Sequence, residues 1–226
     1  MAAPKYTFDA SLAGFNISRA AFLAANPHLA RVMAAAMVFR PNPDPPLTSS
    51  LPQTLLICRA ATDTYPLRWE VPGGSVDASD ATILDGVARE LLEESGLVAS
   101  HMVAPILMSP HEDLPEAVRA GLGIQPDDEG LGAEGLTVTF VETGNLWAKL
   151  TVLVRVRSTE EVRLTPEEHE EAAWVTEEQV RRAELPPAEG EAEGRRMDFV
   201  SDGVRRSILD GFRVYAQSIS GEKDRT

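Results

Sequence analysis

Residues 73–97 constrain this chain more than any other stretch. Pro72-Gly73-Gly74 is followed, after a short spacer, by Arg89-Glu90-Leu91-Leu92-Glu93-Glu94-Ser95-Gly96-Leu97. Ile83, Leu84, Val87, Leu91 and Leu92 recur at helical spacing, so this segment reads as a helix with one apolar stripe. Gly96 stands where a left-handed cap residue is expected. Glu90, Glu93 and Glu94 lie at i, i+3 and i+4, which makes them neighbours on one face. Three like charges in one turn repel, and the cluster is costly unless a cation sits among them. Oxygen donors at this density suit Mg²⁺ or Mn²⁺. The two glycines permit a sharp turn and close approach of backbone to a ligand.

These residues resemble the Nudix box. That motif is a glycine, five residues, a glutamate, seven residues, then Arg-Glu, an aliphatic, any residue, Glu-Glu, any residue, Gly and an aliphatic. Residues 89–97 match at every defined position. The first half departs twice: Asp80 stands where the family has glutamate, and eight residues rather than seven separate it from Arg89. We expect Asp80 to brace the loop or cap the helix. A lone Glu-x-x-Glu-Glu is usually a solvated helix face, but the glycine turn, Arg89 and Gly96 in register set this stretch apart.

The resemblance implies an αβα sandwich with a mixed sheet, and hydrolysis of a nucleoside diphosphate linked to another moiety, or of a related organic diphosphate. It implies Mg²⁺, with Mn²⁺ as a substitute, held by Glu90, Glu93, Glu94 and the Gly73 carbonyl. Glu93 and Glu94 are then part of the catalytic machinery, and Arg89, at i,i+4 from Glu93, orients its carboxylate. The general base is expected in the run 167–171 before Trp174: Glu168 first, then Glu170. His169 has the ordinary pKa of a base, but its expected place is plain surface. Arg59, at a strand end, is the candidate grip on a phosphate. Trp147 and Phe140 are the candidates for stacking on a flat moiety. The competing reading is a catalytically silent ligand sensor or binding module on the same fold. All three ligand glutamates are present, which favours the enzyme.

The bulk properties bound the rest. With 226 residues, 43% hydrophobic and 25% charged, the chain suits one sizeable domain. Its longest apolar candidate, residues 32–39, is far short of the roughly 20 residues that span a bilayer. The N-terminus shows no secretory pattern. The single cysteine, Cys58, lies in an apolar strand, so no internal disulfide is available and a buried inert thiol is expected. These features suggest a cytoplasmic or otherwise intracellular protein. The net charge of −14 argues against a nucleic-acid polymer as partner, and no membrane partner is indicated. A small-molecule diphosphate and a second copy of the chain, as a homodimer, remain. Residues 160–193 hold twelve acidic against three basic residues, read mostly as solvated surface.

Along the chain, residues 1–30 read as an N-terminal extension, with a short helix over 18–25. The domain itself is expected over 31–218, with a tail at 219–226. Strands are predicted over 31–40 and 55–59, joined by a proline-rich loop, and over 103–108. Residues 110–135 read as an insertion loop with a short helix over 115–122. Residues 136–142 and 146–157 alternate apolar and polar and are predicted to form a hairpin. A strand over 172–175, a helix from 177 to 183, a flexible loop over 185–194 and an amphipathic helix over 201–215 complete the pattern.

Overall fold

Strand β2 (Arg31–Pro41) shows how the layers are built. Successive strand residues point to opposite faces. Val32, Ala34, Ala36 and Val38 enter one core cluster, with Ile83, Leu84, Val87 and Leu91 of the glutamate-bearing helix. Ala35 and Met37 enter the other, with Ile208 and Phe212 of the C-terminal helix. The sheet is therefore covered on both faces, and β2 is apolar almost throughout.

The computed structural model describes residues 6–42, 51–106, 138–142, 145–187 and 194–223. The elements before β2 are β1 (Thr7–Phe8), a 3₁₀ helix (Ala10–Phe15) and α1 (Arg19–Ala25). Then come β3 (Pro52–Arg59), β4 (Trp69–Glu70), β5 (Gly73–Ser75), α2 (Ile83–Ser95) and β6 (Ala99–Pro105). The hairpin is β7 (Val138–Glu142) and β8 (Asn145–Val156). Next are β9 (His169–Thr176), α3 (Glu177–Arg182), β10 (Glu184–Leu185), β11 (Arg195–Arg196) and α4 (Asp202–Lys223).

The main sheet is mixed and follows the order β1-β6-β8-β2-β3-β4. β8 runs parallel to β2, while β5 and β3 pair antiparallel with β2. β9 pairs antiparallel with β3 along its length. The αβα expectation holds. The extension is part of the structure: Leu12, Phe15 and Phe22 are buried in the α2-side core, and β1 pairs parallel with β6. No helix among the described residues is long and apolar enough to cross a membrane.

Several boundaries differ from expectation. β6 begins at Ala99, directly after the α2 cap, because it is recruited between β1 and β8; its own sequence alternates weakly. β9 begins at His169 rather than 172, held by β3. α4 runs to Lys223, through part of the expected tail. Leu92, counted in the apolar stripe of α2, is 49% exposed; the stripe is closed by Leu91 alone. The insertion over 110–135, its predicted helix, and most of the loop over 185–194 lie outside the described residues.

Candidate active site

Two local devices place α2. Thr82 is the N-cap, its hydroxyl accepting from the Asp85 N–H. Gly96 ends the helix at φ 70° and donates its N–H to the Leu92 carbonyl, a conformation that disfavours any residue with a Cβ. Between them the helix lies against the glycine turn. A Cβ on Gly73 would sit 2.5 Å from the Ala35 Cβ, and one on Gly74 would sit 2.8 Å from the Glu90 carboxylate. Both glycines are needed for backbone and carboxylate to approach this closely.

Glu94 is buried, and its Oε2 accepts the Gly73 N–H at 2.6 Å. Glu90 is buried beside Gly74 and meets Arg89 Nη1 at 2.9 Å. Glu93 points outward, its side chain 55% exposed, and accepts from Arg89 Nη1 at 2.8 Å. The three glutamates are thus not equivalent: two turn toward the glycines and one toward solvent.

Arg89 does orient Glu93, but its main partner is Asp80. Nε and Nη2 each donate to the Asp80 carboxylate at 3.0 Å, and Nη2 also reaches the Ser75 carbonyl at 2.9 Å. Asp80 further accepts the Asp77 N–H at 2.7 Å. Asp80 therefore braces the loop, while the capping role belongs to Thr82. Its hydrogen bonds hold the Arg89 guanidinium above its ordinary pKa range.

Across the site lies the start of β9. The turn before it is held by the Glu168 and His169 N–H groups on the Thr165 carbonyl. A bulge follows, at which the step from His169 to Glu171 faces the single step from Arg59 to Cys58. Bulges re-aim side chains. Here Glu170 is diverted to the Ala61 N–H at 2.9 Å, whereas Glu168 and His169 come within reach of Glu94. Ligating atoms of Glu94, Glu168 and His169 all lie within 4.8 Å of one another. The expectation that His169 is plain surface fails: it is 3% exposed, with Nε2 3.5 Å from Glu94 Oε1.

The electrostatics follow from burial. Desolvation raises the Glu94 carboxyl to about 9, with Glu70, Glu90 and Glu168 adding to the rise and the Gly73 N–H opposing it. Desolvation raises Glu90 to about 7, against the opposing pull of Arg89. Desolvation lowers His169 below the usual imidazole range. Cys58 is buried and desolvation raises its thiol to about 11, as expected for an inert cysteine.

The other candidates are placed differently. Arg59 is already engaged: it meets Glu70 at 2.5 Å, Asp63 at 2.6 Å and the Thr64 carbonyl at 2.6 Å. Trp147, half-buried on β8, carries the Arg31 guanidinium 5.2 Å from its ring centre. Phe140 pairs with Trp147 across the hairpin. Glu70 escaped the sequence reading. It is a buried carboxylate between Arg59 and Lys149, whose Nζ lies 3.6 Å away. A charged residue between Trp69 and Val71, just before the glycine turn, was the available signal.

Comparison with known proteins bears on the fold and the family. The crystal structure of a Nudix hydrolase from M. smegmatis, RenU, superposes with a TM-score of 0.51 at 18% identity, covering 83% of this chain and 86% of that one. The E. coli ORF135 protein superposes at 0.49 and 14% identity, covering 85% of this chain and 95% of that one. A C. elegans Ap4A hydrolase superposes at 0.47 and 17% identity, covering 84% and 99%. No curated protein matches by sequence. A family model described as the NUDIX domain matches residues 34–195, and with that span covering most of its length, the chain belongs to the Nudix family.

Proposed function

We propose that the protein hydrolyses a phosphoanhydride bond in a nucleoside diphosphate linked to another moiety, or in a related organic diphosphate, with Mg²⁺ or Mn²⁺ as cofactor. The observation that carries this reading is the pair of buried carboxylates, Glu90 and Glu94, drawn against the Gly73-Gly74 backbone. The donor chemistry fits a divalent ion. Among the described residues no lysine or arginine pairs with Glu94, and its carboxyl is pushed to about 9. A divalent ion can complete such a cluster by displacing the proton, because the cation relieves both the desolvation and the mutual repulsion of the ionised acids.

Glu94, Glu90 and the Gly73 carbonyl would hold the ion, with Glu93 supplying an outer carboxylate steered by Arg89. When bound, the ion supplies charge neutralisation for the phosphates and acidification of the attacking water. Glu168, exposed beside Glu94, accepts the proton as the water oxygen bonds to phosphorus. The bridging P–O bond breaks, and its electrons leave with the departing phosphate. Positioning and electrostatics account for most of such a step. Arg59, with its donors engaged, serves this site by fixing Glu70 rather than by gripping phosphate. Trp147 and Phe140 remain the candidates for the flat moiety. The enzyme acts on small molecules.

The test is phosphate release from a panel of nucleotides and non-nucleotide diphosphates, with and without Mg²⁺. Turnover of at least one substrate that vanishes on chelation is expected. Failure across the panel, with Mg²⁺ binding intact, would favour the silent binding module.

A further inference from the structure

His169 is not needed to explain a glutamate-only metal site, yet the fold goes to some length to place it. The turn at Thr165 and the bulge opposite Arg59 aim it inward. Its ring is 3% exposed. Nδ1 is buried with no hydrogen-bond partner among the described residues. No hydrogen bond to Nδ1 accounts for this placement, and the nitrogen that the ring turns toward the site is Nε2. That nitrogen faces a carboxylate at a telling distance. Nε2 lies 3.5 Å from Glu94 Oε1, long for a hydrogen bond. Two donors sharing one ion, with bonds of about 2.1 Å, stand about 3.0 Å apart when cis-octahedral and about 3.4 Å apart when tetrahedral. A Glu168 carboxylate oxygen lies within 4.8 Å of both and keeps its role as proton acceptor.

Resting on the metal-dependent reading above, we propose that His169 is a nitrogen ligand of the cation centre, forming with Glu94 a mixed imidazole–carboxylate position that selects a first-row transition-metal ion over Mg²⁺. Imidazole binds such ions well and Mg²⁺ poorly, since Mg²⁺ keeps oxygen ligands and water. Glu94 then contributes to both the glycine-turn side and the β9 side of the centre. Its Oε2 is held by Gly73 and its Oε1 faces His169.

Two measurements on the full-length protein decide this. With one equivalent of Mn²⁺, pulsed electron paramagnetic resonance should show the ¹⁴N coupling of a directly bound imidazole, and His169→Gln should abolish it. By calorimetry, His169→Gln should weaken Co²⁺ binding about 10–100-fold while changing Mg²⁺ binding less than about threefold. Mn²⁺ bound to the wild type without ¹⁴N coupling would overturn ligation by His169 and leave the metal-dependent reading standing. Coupling that survives in the variant would assign the nitrogen elsewhere and also overturn it. Wild-type protein that binds no Mn²⁺, Co²⁺ or Mg²⁺ would overturn the metal-dependent reading itself. The wild-type spectrum decides the matter even if the variant fails to fold.

Discussion

The two sides of α2 carry the same residue types and opposite physics. On one side, Asp80 and Glu93 are paired with the Arg89 cation, with a two-pronged Arg–Asp pair at 3.0 Å and solvent close by. On the other, one turn along, Glu94 meets Glu168 and His169 with no permanent cation among the described residues. The paired side has its own cation and serves as a brace for the loop over 75–82. The unpaired side has Glu94 pushed to about 9, and Glu90, which lies between Arg89 and the glycine turn, is pushed to about 7. Strongly perturbed groups converging beside a glycine turn mark a place built for a ligand. Sequence spacing alone treats Glu90, Glu93 and Glu94 as one set; burial divides them.

Substitutions on the two sides should therefore differ in kind. The largest effect is expected from Glu94→Gln, which should lower kcat by about 10³ or more, since cation-borne charge stabilisation is worth several kcal/mol. The fold should persist, because the amide is a neutral mimic of the protonated acid and its oxygen can still accept the Gly73 N–H. Near wild-type turnover on a confirmed substrate would erase the distinction between the two sides.

Glu168→Gln should slow turnover by about 10²-fold, with metal binding retained. Glu170→Gln should be close to neutral, because its carboxylate is committed to Ala61. The reverse result would move the base within the same turn.

A pH series sharpens the comparison without substrate. The folded pKa values of Glu90 and Glu94 are raised above the ordinary value of 4.5. The native state thus keeps protons that the unfolded chain releases. Stability without divalent ions should fall as pH rises from about 4.5 through about 9. Added Mg²⁺ or Mn²⁺ should then raise Tm by a few °C at pH 8 and by less at pH 5. Glu94→Gln should flatten both trends, as read by thermal melts. A Tm that climbs steadily with pH in metal-free buffer would contradict the burial argument.

The smallest effect belongs to the paired side. Asp80→Ala should cost about 1.5 kcal/mol of stability, the worth of a hydrogen bond to a charged group, and change kcat less than Glu168→Gln does. Chemical denaturation measures the first and steady-state kinetics the second. A collapse of activity in Asp80→Ala at unchanged stability would show that the brace takes part in the chemistry.

Much of the fold was legible because its signals are local. The β7–β8 hairpin, α1 and the body of α4 follow periodicity and turn residues close in sequence. What was missed shares a cause. β1 and the early start of β6 exist because one strand recruits the other, and neither residue run announces itself. Arg59 reads as a free cation until Glu70 and Asp63 are seen to hold it. His169, in a run of glutamates, reads as surface until β3 draws it inward.

The sequence by itself determined the centre of the molecule: the body of α2 and its Gly96 end, the glycine turn, and the apolar strand between two helical layers. Capping hydroxyls, the sign of φ at Gly96 and the two periodicities act within a few residues, so they can be read there. Only the tertiary structure decided which glutamates lose their water, which arginine is spent, and that a histidine faces Glu94. Those outcomes depend on β9 pairing with a strand more than 100 residues earlier and bulging at one position. Burial and charge pairing are properties of neighbours in space, and no spacing rule along the chain specifies them.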